Sequence, residues 1–218
     1  MGEDIVTLYV GAQKKIFKVH KDFLCNRIPY FKKMFMGDFK EATEDLATFP
    51  EDSPTLFEVL IEWVYTGKLR ELKTHPVTKT INYSPELMYQ LADKFCMEHL
   101  MDTIISAYIL HYKQQNIIPN VEEMKLGYKI PGKPFRDLTV RFLHYLLTEF
   151  RQNTGTTLWS TKDIQEMLIT NGDMFTDYLE LVRSHPSSTT VNDPRQLPLC
   201  TFHLHGKNEE CEHKSTWQ

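Results

Sequence analysis

The stretch from Ile5 to Leu69 constrains the fold more than any other part of the chain, because strand and helix patterns follow one another in it with short connections. Residues 5–10 and 16–19 are rich in the β-branched and aromatic residues that strands prefer. Gly11 begins a short polar connection between them that can turn the chain. The two segments therefore predict a β-hairpin.

Helix signals dominate the remainder of this stretch, with one further strand. The patterns predict, in chain order, a helix at 20–24, a helix at 29–36, a strand at 46–49 and a helix at 54–66. The last helix is the clearest, because Ser53 suits the N-cap, Pro54 suits the first helical position and Gly67 suits the C-cap. This order of elements predicts an α+β fold with a small mixed sheet edged by helices.

Helical patterns continue beyond residue 70, where a loop with one short strand is expected first. Residues 120–134 show no clear period and are rich in glycine and proline. On either side of that segment, apolar residues at helical spacing predict helices at 84–96, 98–115, 135–146, 161–168 and 172–182.

The chain divides into four segments on these patterns. Residues 184–198 are rich in serine, threonine, proline and asparagine and have few apolar side chains to bury, which predicts a flexible linker. The expected segments are a folded core at 5–116, a helical extension at 117–183, the linker at 184–198 and a Cys/His-containing tail at 199–218.

Composition and charge argue against several classes of function. The 218 residues carry a net charge of -4 without a basic segment, so nucleic-acid binding is not expected. No apolar run approaches the roughly 18 residues that span a bilayer, and the acidic start at Met1–Asp4 is unlike a signal peptide. Four cysteines are too few for a disulfide scaffold, which favours the cytoplasm or the nucleus.

Several short motifs within residues 5–116 occur together in one known family. They are Phe17, the pair Val19–His20, Leu24, Phe31 and the run Trp63–Gly67. In this order and spacing they resemble the BTB/POZ domain, and the residues of the motifs are most similar to those of the fungal BTB group. The resemblance implies a BTB/POZ fold followed by a helical extension, and a protein–protein interaction role rather than catalysis.

His20 is the residue most easily mistaken for a catalytic group. Acid–base catalysis would need a nucleophile or a carboxylate partner at defined geometry, and the sequence contains no motif that supplies one. In the family that the chain resembles, the matching histidine is a packed structural residue. We therefore expect a structural role for His20 and do not expect an enzyme.

The triplet Phe39–Lys40–Glu41 is the main candidate for partner binding. Some BTB adaptors present an apolar residue and an acidic residue at this spacing, in this loop, to a cullin-type ubiquitin ligase scaffold. An apolar anchor would fill a pocket while the carboxylate accepts hydrogen bonds at the rim. The alternative is that Phe39 packs down in the loop and Glu41 is solvated.

Self-association is a second expectation from the resemblance. Many BTB domains dimerise by exchanging a strand that precedes the core, and this chain begins almost at its first core strand. A strand-exchanged dimer is therefore not expected, whereas a monomer or another self-association surface is. The opening at Val6–Gly11 also resembles potassium-channel tetramerisation domains, which assemble into rings.

The tail concentrates residues that bind zinc. The potential ligands are Cys200, His203, His205, Cys211 and His213. Four of them could form a tetrahedral site, although the spacing matches no standard zinc finger. The alternatives are an edge strand at 199–204 that packs Phe202 and Leu204 on the body, and a disulfide between the two cysteines.

The sequence thus predicts a non-catalytic protein-interaction module that needs no cofactor unless the tail holds zinc. One version is a substrate adaptor for a cullin-type ubiquitin ligase. The other versions are a self-associating or transcription-linked scaffold without cullin contact, and a small zinc-binding protein that acts through its tail.

Overall fold

The computed structural model describes residues 4–78, 80–149, 159–184 and 190–206, together with Glu209 and Cys211. The chain divides into two compact units, Met1–Ile104 and Ile105–Gln218. None of the described helices is long and apolar enough to cross a membrane.

The first unit contains a three-stranded mixed sheet. Strand β1 (Ile5–Val10) pairs antiparallel with β2 (Lys15–His20) and parallel with β3 (Leu46–Phe49), in the order β2-β1-β3. Gly11 makes the hairpin turn with φ +77°, a conformation that favours glycine. The predicted hairpin and third strand are therefore confirmed.

Among the described residues of the first unit, six helices accompany this sheet. They are α1 (Lys21–Arg27), α2 (Pro29–Met36), α3 (Lys40–Glu44), α4 (Pro54–Thr66), α5 (Pro85–Lys94) and α6 (Glu98–Gln114), the last of which continues into the second unit. Pro54 begins α4 and Gly67 ends it with φ +70°, its N–H donating to the carbonyl of Trp63 at 2.8 Å. The helix boundaries expected from Pro54 and Gly67 are confirmed, whereas α3 is additional to the prediction.

An aromatic core packs between these elements. We use this name for Phe31, Phe35, Phe49, Phe57 and Phe95, each of which is at most 4% exposed. Their rings meet at centroid distances of 5.0–6.2 Å, mostly tilted or edge to face. Such aromatic pairs stabilise a core beyond the burial of their area.

The second unit is helical, as expected for an extension. It contains α7 (Val121–Lys129), α8 (Lys133–Thr148), α9 (Thr161–Thr170) and α10 (Gly172–Ser184). Helix α7 lies in a segment where no clear period was predicted. Its start is a capping box, in which Asn120 accepts from the N–H of Glu123 and the Glu123 carboxylate accepts from the N–H of Asn120.

The C-terminal segment, defined here as residues 190–206 with Cys211, also belongs to the second unit. It contains two short 3₁₀ helices, Pro194–Gln196 and Leu199–Phe202, both of which pack against α8. The edge strand at 199–204, which was one alternative to a zinc site, is wrong, because a 3₁₀ helix forms at Leu199–Phe202. Phe202 is nevertheless 1% exposed, whereas Leu204 is 39% exposed.

Arg195 holds the start of this segment. Its guanidinium donates to both carboxylate oxygens of Asp193 at 2.6–3.0 Å and to the carbonyl of Ile117 at 2.8 Å. The hydrogen bond to Asp193 raises the pKa of Arg195, and only 6% of the residue is exposed. The composition of the predicted linker suggested little burial, and this arginine is buried instead.

Candidate functional site

The triplet Phe39–Lys40–Glu41 lies at the start of α3 rather than in a loop. Phe39 is the N-cap residue in an extended conformation, and its carbonyl accepts from the N–H of Ala42 at 3.1 Å. A phenylalanine side chain cannot cap the helix, so its ring takes no part in the helix hydrogen bonds. The Phe39 ring is therefore not required for the hydrogen bonds that form this short helix.

Asp45 attaches the end of α3 to the sheet. It is in the left-handed conformation with φ 48°, and its carbonyl accepts from the N–H of Thr7 in β1 at 2.8 Å. Its carboxylate accepts from Lys21 at 2.7 Å, a hydrogen bond that raises the pKa of Lys21. Contacts with both β1 and α1 thus position the triplet.

Gly37 allows the chain to turn sharply between α2 and the triplet. A Cβ atom at this position would lie 2.6 Å from the carbonyl oxygen of Lys33 and 3.2 Å from the Phe39 ring. No side chain larger than hydrogen fits there without a shift of the backbone. The close approach therefore helps to set where the Phe39 ring lies.

Two apolar side chains are exposed where α2 ends and α3 begins. Phe39 is 58% exposed and Met36, at the end of α2, is 52% exposed. Glu41 is half-buried, while Lys40 is exposed and pairs with Glu44 at 3.3 Å. The ring of Phe39 does not pack down, so an apolar anchor and a nearby carboxylate are both accessible to a partner.

His20 links the sheet to α4. Its Nδ1 lies 2.7 Å from the hydroxyl of Tyr65, which also accepts from the His20 N–H at 3.0 Å. The His20 ring meets Tyr65 and Phe23 edge to face at 5.8 and 5.9 Å. These contacts support the structural role, although the residue is exposed rather than buried.

The second candidate site is the Cys/His cluster, which we define as Cys200, His203, His205 and Cys211. One ligand atom from each of these residues lies within 4.8 Å of the other three. Cys211 is 4% exposed and the other three are half-buried. Both cysteines are thiols rather than a disulfide. His213, the fifth predicted ligand, lies outside the described residues.

Two residues of these sites were not found from the sequence. Met36 follows Phe31 and Phe35, which are buried at i, i+4 spacing, so its place off that apolar face could have indicated exposure. Ser106 lies 2.7 Å from His203, 97 residues later in the chain. No sequence pattern links two residues at that separation.

Comparison with known families identifies the first part of the chain. Residues 4–111 match the family model described as BTB/POZ domain. This range agrees with the resemblance that the motifs carry, and it contains the triplet Phe39–Lys40–Glu41. A BTB/POZ domain is a protein-interaction module.

Similar curated proteins match over the same part of the chain. The Kelch-like ECH-associated protein 1A of Danio rerio is 32% identical over 100 residues, which are 44% of this chain and 17% of that protein. Kelch-like protein 30 of Mus musculus is 30% identical over 45% of this chain and 16% of its own length. The chain thus spans about a sixth of these relatives, which give no support to the fungal subgroup.

Proposed function

Because residues 4–111 form a BTB/POZ domain, we propose that one partner of this protein is a cullin-type ubiquitin ligase scaffold, bound at the Phe39 corner. We use this name for Met36, Phe39 and Glu41. The observation that carries the proposal is the exposure of Phe39, since 58% of this residue is accessible. An exposed aromatic ring is the kind of anchor that dominates binding energy when a partner buries it.

The surroundings of Phe39 support this role. Asp45 and Gly37 hold the helix that carries it, so little conformational freedom has to be lost when a partner binds. Glu41 is half-buried, and its carboxylate can accept hydrogen bonds at the edge of the contact. The similarity to Kelch-like proteins over this range is consistent with an adaptor role.

Titration of the purified protein with the N-terminal domain of a cullin tests the proposal. We expect saturable binding by the natural sequence and a loss of about thirtyfold or more in the double variant Phe39→Ala, Glu41→Ala, as for a hot spot of about 2 kcal/mol. Phe39→Leu keeps an apolar anchor and should bind with an intermediate affinity.

A matched double variant controls for general surface changes. Val77 is 81% exposed and Glu71 is exposed, so Val77→Ala, Glu71→Ala removes one apolar and one acidic side chain from the same unit. This control should bind as the natural sequence does. Equal affinities for all of the variants, or no binding at concentrations on the order of tens of micromolar, would contradict the cullin proposal.

Self-association is a second candidate function, favoured by the surface of the hairpin. Ile5 and Ile16 are 47% and 56% exposed, and β2 lies at an edge of the sheet. Exposed apolar side chains on an edge strand favour pairing with another chain. Sedimentation should show a concentration-dependent dimer that Ile16→Lys weakens; a monomer at all concentrations would contradict this candidate.

A further inference from the structure

We propose that the Cys/His cluster is a structural zinc site that fastens the C-terminal segment to the helices of the second unit. The cluster offers two sulfur and two nitrogen ligands. Tetrahedral sets of two thiolates and two imidazoles are typical of zinc in proteins. This inference concerns a different surface from the Phe39 corner and does not depend on cullin binding.

The spacing of the ligand atoms fits a tetrahedral ion. Zinc bonds of about 2.0–2.1 Å to nitrogen and about 2.3 Å to sulfur place neighbouring ligand atoms about 3.3–3.8 Å apart. His203 Nδ1 lies 3.2 Å from His205 Nε2 and 3.4 Å from Cys211 Sγ. The Cys200 sulfur lies within 4.8 Å of all three atoms. Movements of about 1 Å or less would therefore complete the site.

The outer nitrogen of each histidine faces an oxygen atom. His205 Nδ1 lies 3.1 Å from the carbonyl of Gly206, which can only accept, so this nitrogen carries the proton. The neutral ring of His205 then presents the lone pair of Nε2 to the cluster. Partners of this kind on the far nitrogen orient metal-bound histidines in known sites.

Ser106 does the same for His203. Its hydroxyl on α6 lies 2.7 Å from His203 Nε2, and the serine is fully buried. When Nε2–H donates to this hydroxyl, Nδ1 of His203 is the ligand atom that faces His205 and Cys211. With these tautomers, both rings aim an unprotonated nitrogen at one point.

The composition of the set indicates a structural rather than a catalytic zinc ion. Four protein ligands leave no open position for water or substrate. Two thiolates balance the charge of the ion, and their two protons are released to solvent as it binds. Cys211 is buried, which protects the bound ion from exchange.

A bound ion would join parts of the second unit that are distant in sequence. The turn Leu199–Phe202 packs on α8, and its Phe202 is 1% exposed. Zinc would join this turn to Cys211, and Ser106 would connect the same ion to α6. The polar tail thereby gains an anchor that its few apolar residues do not supply.

Metal analysis of the full-length protein tests the site. After loading with zinc and gel filtration, we expect close to one zinc ion per chain, with loss of the ion in Cys200→Ser and in Cys211→Ser. Cys96→Ser alters an exposed cysteine of the first unit and should retain the ion. No zinc in the natural sequence, or full retention in both cluster variants, would overturn the proposal.

Cobalt substitution gives a readout that does not depend on any variant folding correctly. Cobalt bound to the natural sequence should show the thiolate charge-transfer absorption and the intense visible bands of a tetrahedral site. Addition of zinc should remove both signals. A spectrum of weak bands without charge transfer would show that thiolates do not bind the ion and would overturn the assignment.

Two further variants test the roles of individual residues. Ser106→Ala should keep one zinc ion per chain but weaken its affinity by about 10- to 100-fold against a competing chelator, as for other partners of metal-bound histidines. His213→Ala should bind zinc as the natural sequence does. Loss of zinc in His213→Ala would overturn the four-residue assignment.

Discussion

The aromatic core of the first unit and the C-terminal segment of the second unit are held by opposite means. Five phenylalanine rings pack on one another in the aromatic core, without any directional bond. The C-terminal segment instead depends on Arg195, Asp193 and the Cys/His cluster, with Phe202 as its main apolar anchor.

The two regions should therefore lose stability in different ways. Apolar packing is distributed over many contacts, so its loss at one residue costs a cavity but leaves the other contacts in place. Polar anchoring is concentrated in a few groups, each of which leaves a buried charge or donor without its partner when one side is removed. The first region should therefore tolerate conservative changes that the second does not.

The largest effect is expected from Phe57→Ala in the aromatic core. Phe57 is fully buried and contacts Phe17, Phe49 and Phe95, so truncation should lower the free energy of unfolding by about 3–5 kcal/mol. Urea denaturation of the purified variants measures this change.

Phe39→Ala is the matched control for Phe57→Ala. Because its ring is 58% exposed, the free energy of unfolding should change by about 0.5 kcal/mol or less. This result would also establish that any loss of partner binding in Phe39 variants does not come from unfolding. Similar losses of stability at the two positions would refute the description of Phe57 as core and Phe39 as surface.

Arg195→Ala should have the next largest effect, confined to the second unit. Removal of the guanidinium leaves the Asp193 carboxylate, 14% exposed, without its main partner and should cost about 3 kcal/mol. Hydrogen exchange should then become faster at residues 190–206 and stay unchanged in β1–β3. Arg195→Lys keeps the charge without the planar guanidinium group, so its stability should lie between those of the natural sequence and Arg195→Ala.

Unchanged exchange at residues 190–206 in Arg195→Ala would show that apolar contacts hold this segment after all. Faster exchange in both units would instead show that the effect is not local. Either result would remove the contrast between the two regions.

The smallest effect expected in the second unit is a pH dependence that comes from Tyr128. Burial, with a hydrogen bond to Asp177, raises the pKa of Tyr128 to about 12. The folded state therefore keeps a proton that the unfolded state loses near pH 10, so stability is present below pH 10 and declines towards pH 12. Arg136 donates to the same hydroxyl at 2.7 Å.

Tyr128→Phe removes the ionising group and checks this dependence. The variant should lose about 1 kcal/mol of unfolding free energy at neutral pH, and this difference from the natural sequence should close and then reverse as the pH rises from 10 to 12. Urea denaturation at several pH values measures the difference. A constant difference would show that Tyr128 ionises equally in the folded and unfolded states.

Much of the fold could be predicted because its signals are local. The alternation in β1, the proline after Ser53 and the glycine after Thr66 each act within a few residues of where they stand. The capping box at Asn120 and Glu123 is equally local, so α7 could have been predicted from the asparagine and the glutamate three residues later. The sequence also pointed to both candidate sites, the triplet Phe39–Lys40–Glu41 and the Cys/His residues of the tail.

Apart from the short helix α3, the order of strands and helices in the BTB/POZ domain follows from the sequence, since amphipathic periods and helix ends are written in neighbouring residues. The sequence also placed the candidate ligands in the tail. The exposure of Phe39, the burial of Arg195 and the contact between Ser106 and His203 are visible only in the folded protein. These outcomes depend on which distant segments pack together, and packing over long separations leaves no periodic trace in the chain.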